Sequence, residues 1–350
     1  MKAGPKSSVA MSASVLSQFD AVIDVRSPTE YAEDHIPQAL CCPVLDDAER
    51  AQVGTLYKQA SSFAARKSGA ALVARNIARH VETAFADHPA TWKPLVYCWR
   101  GGKRSGAMAH VLREIGWDAK TLAGGYKSYR KHVVEALAEV PQRFRFRVVH
   151  GVTGSGKSRF LRALRRAGAQ TLDLEDLAAH RGSVLGNLPE RPQPSQKMFE
   201  SLLLRELRGL DPARPVHVEG ESRRIGQLQV PAALIEAMRA SECVVLEAGL
   251  ETRVALLMDE YHHFFTDLAA LGAQLDCLVE LHGRETIEQW KKLAAQGDWH
   301  ALVARLLEEH YDPAYRRSAA RNFAKLPQAP VLRVPAADDA AFARLAEGVT

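Results

Sequence analysis

Two short stretches of this chain carry residue types that do chemistry. In "VYCWRGGKRSG", residues 96–106, Cys98 ends an apolar run and is followed by Trp99, Arg100, Gly101, Gly102, Lys103 and Arg104. Glycine lets a backbone curl without Cβ clashes, so the N–H groups of Arg100 to Lys103 can turn inward as an anion-binding nest. A helix starting near Ser105 adds positive potential from its N-terminus. Together with Arg100, Lys103 and Arg104, that potential favours thiolate over thiol, and the thiolate is the nucleophile. An isolated cysteine is ordinarily a small buried apolar residue. Here glycines, cations and a strand-loop-helix setting coincide, which makes Cys98 the candidate catalytic residue. Cys41, Cys42, Cys243 and Cys277 lack that setting and are read as packed thiols.

The second stretch, "GVTGSGKS" (151–158), satisfies G-x-x-x-x-G-K-[ST] between the apolar run "FRVVH" and the helical segment "SRFLRALRRAG". That context makes the motif a phosphate loop. Gly151, Gly154 and Gly156, with Thr153 and Ser155 between them, let N–H groups wrap a phosphate chain. Lys157 reaches its terminal oxygens, and Ser158 can ligate Mg²⁺ or a phosphate oxygen. The motif calls for a di- or triphosphate; no adenine-binding signature accompanies it to establish ATP. In "VHVEGESRRIG" (216–226), Glu219 and Glu221 are candidates for holding Mg²⁺ through water. Arg223 and Arg224 are candidates for clamping a phosphate with paired hydrogen bonds. Asp173 and Glu175 in "QTLDLED" form a weaker acidic pair.

Further cations are spread over the second half. Arg159, Arg162, Arg165 and Arg166 share one side of the helix after the loop, and "RFRFR" and "YRRSAARNFAK" set others beside aromatic residues. Such runs ordinarily form solvated faces, yet in a chain of formal charge +5 they suit contacts with an RNA backbone. His262 and His263 have no ligand-spaced carboxylates around them, and no structural metal is expected.

The elements that must position these residues alternate between strand and helix. Strands are expected in "FDAVIDV" (19–25), "PLVYC" (94–98), "DAKTLAGGY", "FRVVH" (146–150), "PVHVEG" (215–220), "ECVVLEA" (242–248) and "PVLRVPA", with helices between them. Alternation of this kind builds parallel α/β sheets. The expected organisation is a disordered tail over 1–13, an α/β domain over 14–138 and a linker over 139–145. A phosphate-loop α/β domain with a helical C-terminal part fills 146–350. At 350 residues, 47% hydrophobic and 25% charged, the chain has the composition of a folded soluble protein. No run suits a membrane span or a secretory signal. Five scattered cysteines without a C-x-x-C pair fit a reducing cytoplasm.

The segment "DVRSPTEYAEDHIPQALCCPV" (24–44) resembles the N-terminal signature of rhodanese domains, with Asp24, Arg26, Glu30, His35, Ile36 and Pro37 in family order. "CWRGGKRS" holds the active-loop position and "LAGGY" the closing signature. The resemblance implies a rhodanese-like parallel-sheet domain carrying sulfur or selenium on Cys98, with Asp24, Arg26 and Glu30 structural and His35 packed. Phosphatases of this fold use a similar C-x5-R loop, but this one offers no carboxylate to protonate a leaving group. The succession "CWRGGKRS", "GVTGSGKS", "AHRGSVLG", "PSQKMFESLL", "VEGESRRIG" and "HYDPAY" resembles the tRNA 2-selenouridine synthase family over nearly the whole chain.

That resemblance implies a transferase converting wobble 2-thiouridine of tRNA to 2-selenouridine. The route is S-geranylation from geranyl diphosphate, then selenium transfer from selenophosphate via a cysteine intermediate. Cys98 would carry selenium, residues Trp99 to Arg104 would hold the selenophosphate oxyanion, and the phosphate loop would hold the diphosphate. Two other readings stand beside it: a rhodanese-type sulfurtransferase or phosphatase fused to a small-molecule kinase, and a nucleotide-gated RNA-binding protein without chemistry. For the geranyl chain, Phe63, Leu72, Val73 and Ile77 in the helical stretch after "YKQ" offer apolar side chains at helical spacing.

Overall fold

A computed structural model of the chain describes residues 8–183, 185–315 and 323–349. It divides into two compact units, the first running to Ala136 together with Glu200–Leu204, the second covering Leu137–Phe199 and Arg205 onward. Each unit is an α/β structure with its own five-stranded sheet.

In the first unit the strands are β1 (Ser8–Val9), β2 (Ala21–Asp24), β3 (Leu40–Cys41), β4 (Pro94–Tyr97) and β5 (Lys120–Leu122), in the order β1-β5-β4-β2-β3. All pair in parallel. Every residue of β4 is buried, as expected of a strand covered on both faces. The chain runs from β2 outward to β3, then returns to place β4 on the other side of β2. Loops leaving β2 and β4 therefore diverge, and this is where open parallel sheets hold ligands. Helix α1 (Pro28–Glu33) starts with proline at its first position, and the Ser27 N–H donates to Glu30. The polar stretch after β3 folds as two helices, α2 (Asp47–Gln59) and α3 (Ser62–Glu82). The next helix, α4 (Lys103–Ile115), starts directly after Gly102 and ends at Gly116 with φ 112°.

Beneath the β4 exit lies a buried ion pair. Arg26 Nε stands 3.0 Å from both Asp24 carboxylate oxygens, and its Nη2 also donates to the Asp34 carbonyl at 2.6 Å. The guanidinium lies 4.1 Å from the Tyr126 ring centroid. Tyr126 in turn donates its N–H to the Cys98 carbonyl at 2.8 Å and its hydroxyl to Asp34 at 2.8 Å. The signature residues Asp24 and Arg26 thus hold the platform on which the cysteine loop rests. His35 is packed, stacked on Tyr31 with ring centroids 3.8 Å apart.

In the second unit β6 (Phe146–His150), β7 (Gln170–Leu172), β8 (Val216–Glu219), β11 (Glu242–Ala248) and β12 (Val331–Val334) form a parallel sheet ordered β12-β11-β6-β8-β7. A small antiparallel hairpin, β9 (Arg224–Ile225) and β10 (Leu228–Gln229), lies apart from it. The register sets Val149 of β6 beside Glu219 of β8, so the two strands end together. The helix Lys157–Arg166 follows β6 and buries Phe160, Leu161, Ala163 and Leu164 against the sheet core.

Three expectations are corrected here. Ser8–Val9, placed in the disordered tail 1–13, pairs with β5 because its backbone completes an open sheet edge; the earlier residues lie outside the described ones. The linker expected over 139–145 is ordered: a 3₁₀ turn over Val140–Arg143 with Pro141 buried. The helical part is not C-terminal but sits between β11 and β12, and the chain then returns to the sheet with the helix Asp339–Glu347. That helical part has its own core around Trp290, which is fully buried.

Replacing Arg26 with methionine would leave the Asp24 carboxylate buried without its cation. Arg26→Met should lower stability in a urea melt of the full chain by roughly 3–5 kcal/mol. A loss under about 1 kcal/mol would show that the pair is not a structural anchor.

Candidate functional site

The cysteine loop is shaped by two glycines from different segments. Gly101 has φ 65°, and a Cβ there would stand 2.6 Å from the Leu122 carbonyl. Gly125 has φ 57°, and a Cβ there would strike the Cys98 carbonyl. The closing signature "LAGGY" is therefore needed so that its backbone can lie directly against the active loop.

Cys98 Sγ accepts from the Gly102 N–H at 3.2 Å and from the Ser105 hydroxyl at 3.3 Å. Burial pushes this thiol up. The hydrogen bonds from Ser105, Gly102 and Arg100 outweigh that effect and leave it below the ordinary cysteine value. Burial pushes the Cys42 thiol up to about 12 with no such donors, so two buried thiols in one unit titrate in opposite directions. Cys243 is buried as expected, whereas Cys41 and Cys277 are exposed.

The cations of the loop do less than the sequence suggests. Arg104, expected in the cradle, turns to Glu30 with contacts of 2.7 and 3.3 Å, and Arg50 also approaches that carboxylate. Its charge is neutralised there. Backbone and hydroxyl donors, rather than side-chain cations, hold the Cys98 sulfur. Arg100 and Lys103 lie exposed at the rim, and Trp99 packs at 5.2 Å from Tyr126.

In the second unit the phosphate loop has the expected positive φ at Gly151, Gly154 and Gly156. Gly156 is also fixed by packing, since a Cβ there would enter the Phe342 ring. Lys157 Nζ donates to the Gly151 carbonyl at 3.1 Å, and the Ser158 hydroxyl donates to Glu175 at 2.8 Å. Thr153, Gly154, Gly156, Lys157 and Ser158 line one cavity with Glu175, Arg181, Glu221, Glu260 and Tyr261 among its other walls. Ser155 is buried beneath the loop.

Of the outer candidates, Glu221 lines the cavity and Glu219 lies buried at its base, accepting the Glu175 N–H at 2.7 Å. Arg223 and Arg224 are exposed and do not line it, because the chain turns into the hairpin there. Their expected place is taken by Arg181 from "AHRGSVLG". Glu175, the weaker candidate, proves central, while Asp173 caps its helix by accepting the Asp176 N–H. Gly182 lets the two carboxylates approach, since a Cβ there would stand 2.8 Å from Glu175 and 3.0 Å from Glu221. Burial, then the Glu221 charge, push Glu175 up to about 8, with Lys157 opposing them. Glu219 and Glu221 are raised as well, chiefly by burial.

Sequence reasoning missed Arg253. It is buried, donates to the Thr153 carbonyl at 2.9 Å, and pairs with Asp312 of "HYDPAY" at 2.6 and 3.0 Å. The pair holds the loop from outside, which the unexplained "HYDPAY" stretch alone could have signalled.

The arginines after the loop are largely spent within the fold. Arg159 pairs with Asp259 and approaches Asp339 at 3.6 Å, Arg166 reaches Asp339 at 3.3 Å, and Arg165 donates to Thr171. Arg145 and Arg147 of "RFRFR" donate to the carbonyls of Ala213 and Val349. In "YRRSAARNFAK", residues 316–322 lie outside the described residues.

The donors around Ser158 suit a hard cation: a hydroxyl, the carboxylates of Glu175 and Glu221, and a buried Glu219 Oε2 with no hydrogen-bond partner among the described residues. The residues present thus fit Mg²⁺, completed by phosphate and water. No group of three or more His, Cys, Asp or Glu stands at metal-holding geometry among the described residues. No helix among them is long and apolar enough to cross a membrane.

Comparison with known proteins places both units. A family described as the tRNA 2-selenouridine synthase AAA domain matches residues 144–276, and the rhodanese-like domain family matches residues 10–132. A tRNA 2-selenouridine synthase of Bdellovibrio bacteriovorus is 39% identical over 249 residues, covering 69% of this chain and 64% of that one. One from Nitrosomonas europaea is 37% identical, covering 69% and 63%. The chain thus spans less than two thirds of the length of these two relatives. One from Sulfurovum sp. (strain NBC37-1) is 31% identical over 341 residues, covering 89% of this chain and 92% of that one.

Two measurements test this geometry. Alkylation by iodoacetamide, followed cysteine by cysteine across pH, should show Cys98 reacting at lower pH than Cys41, whose thiol burial pushes up. Ser105→Ala should move the Cys98 profile to higher pH; an unmoved profile would dismiss the hydroxyl as a cause. For Glu175, folded protein holds more protons than unfolded protein between its ordinary 4.5 and about 8. Its contribution to stability therefore falls as pH rises through that window. Relative to wild type, Glu175→Gln should gain melting temperature from about pH 5 to about pH 8. An offset independent of pH would contradict the raised carboxyl.

Proposed function

Because the chain belongs to the tRNA 2-selenouridine synthase family, we propose that it is a cytoplasmic transferase that replaces the sulfur of wobble 2-thiouridine in tRNA with selenium. The observation that carries this reading is Cys98, a buried thiol held below its ordinary value by converging donors, in a chain that also holds a phosphate loop.

A thiocarbonyl sulfur is a poor leaving group until it is alkylated. In the first half-reaction that sulfur attacks C1 of geranyl diphosphate. The S–C1 bond forms, the C1–O bond breaks, diphosphate departs with the electron pair, and the base gives up its N3 proton. The loop N–H groups, Lys157 and Arg181 supply donors where charge develops on the leaving diphosphate. Ser158, Glu175 and Glu221 would hold Mg²⁺, which neutralises further charge on the diphosphate when bound.

In the second half-reaction the Cys98 thiolate adds to C2 and expels geranylthiolate, which takes up a proton. The selenium of selenophosphate then attacks C2 and displaces Cys98, and water releases the phosphate. This revises the expectation of selenium carried on the sulfur itself. Thiolate and selenophosphate both enter with fully reduced chalcogens, so joining them would need an oxidant, whereas a Cys98–C2 bond needs none. The side chains of Arg100 and Lys103, exposed at the rim, are suited to the oxyanion of selenophosphate.

Nucleoside mass spectrometry of thiolated tRNA incubated with the protein, geranyl diphosphate and selenophosphate tests both steps. Cys98→Ala should accumulate the S-geranyl nucleoside without 2-selenouridine. Lys157→Ala should slow geranylation on the order of 100-fold while still selenating tRNA that is already geranylated. Full 2-selenouridine formation by Cys98→Ala would sink the cysteine intermediate.

A further inference from the structure

The phosphate cavity does not end at the loop. A second, apolar pocket shares four of its wall residues, Thr153, Leu257, Tyr261 and Tyr311. Beyond that shared wall, the second pocket is lined by residues of the helical part, among them Phe264, Phe265, Leu271, Trp299, Leu302 and Leu306. Phe265 and Trp299 stack with ring centroids 4.5 Å apart.

The two tyrosine hydroxyls in this wall are already engaged. Tyr261 shares a hydrogen bond with Ser183 at 3.0 Å, and Tyr311 bonds with Ser183 and the Leu185 backbone. A nucleotide base entering this largely apolar pocket would lose more water hydrogen bonds than its wall can replace, at a cost a hydrocarbon does not bear. One end of the joined cavity suits a diphosphate and the other suits an aliphatic chain. The loop and the pocket together therefore describe an amphiphilic ligand.

We propose that this apolar pocket is the prenyl-chain subsite of the phosphate loop's ligand, and that Phe265, Trp299 and Leu302 set the chain length it accepts. The proposal rests on the geranylation reading above and deepens it. It moves the chain away from Phe63, Leu72, Val73 and Ile77: Phe63 is 71% exposed and Ile77 is part of the first unit's core, so the four do not form a pocket. It also gives the helical insertion between β11 and β12 a role, since it supplies most of the pocket's wall.

The test is prenyl transfer to thiolated tRNA from dimethylallyl, geranyl and farnesyl diphosphates, with kcat/KM measured for each. Phe265→Ala removes part of the wall and should shift the farnesyl-to-geranyl ratio roughly 10-fold or more toward farnesyl. Leu302→Trp fills the pocket and should shift the dimethylallyl-to-geranyl ratio by a similar factor toward dimethylallyl. Inorganic diphosphate, which lacks the chain, reports by calorimetry whether the loop of each variant is intact. In the wild type, ATP should bind no more tightly than inorganic triphosphate. If the wild type geranylates while both variants, with diphosphate binding intact, keep its chain-length profile, the pocket assignment falls alone. If the wild type transfers no prenyl group from any donor, the geranylation reading falls and takes the pocket with it.

Discussion

Parallel pairing of β4 in one unit and of β6 in the other points a buried strand's carboxyl end at a helix's amino end. The unpaired N–H groups gathered there have no backbone acceptor within the sheet, and each loop must supply one or leave room for an anion. At β4 the acceptor is the Cys98 sulfur, reached by Gly102 N–H and the Ser105 hydroxyl. At β6 the loop is kept open by three glycines at positive φ, one of them pressed against Phe342. Much of the rest of each unit serves that arrangement. Asp24, Arg26 and Tyr126 brace the first loop from below, while Arg253 and Asp312 hold the second from outside.

The same geometry explains an apparent conflict of charge. A phosphate site is expected to be cationic, yet Glu175, Glu219 and Glu221 crowd the base of this one. Glu219 is buried and Glu175 and Glu221 are half-buried beside one lysine, and burial with neighbouring carboxylates raises all three above the ordinary carboxylate value. A cation arriving with a diphosphate would change that balance, releasing protons from the carboxylates as it takes their charge. On the proposed reading, the acidic cluster complements a metal–diphosphate ligand rather than repelling an anion.

Local spacing made the two loops legible in the sequence, because nest and phosphate loop are each built from consecutive residues. Strand and helix positions followed from apolar periodicity for the same reason. What escaped depends on residues brought together from far apart. Glu175 meets Glu219 because β7 and β8 are neighbours in the sheet, and Arg253 meets Thr153 across a hundred residues. The loop cations misled in the opposite direction. Proximity in sequence suggested Arg104 for the anion, but Glu30 lies nearer in space and takes its charge. Exposed Arg223 and Arg224 follow the same rule, since a hairpin of two short strands carries them off the cavity.

The two thiols of the first unit show why donors matter more than cations for the chemistry. Cys42 and Cys98 are both buried, and burial alone raises each thiol. Only Cys98 has N–H and hydroxyl groups fixed on its sulfur before any reaction begins. Fixed donors stabilise the thiolate without the solvent rearrangement that a mobile lysine or arginine would require. They also leave Arg100 and Lys103 at the rim, able to meet an incoming anion rather than the sulfur. A loop built in this way separates activation of the nucleophile from capture of the anion. That separation suits the proposed route, in which the thiolate first bonds to carbon and is then displaced by a nucleophile carrying its own phosphate.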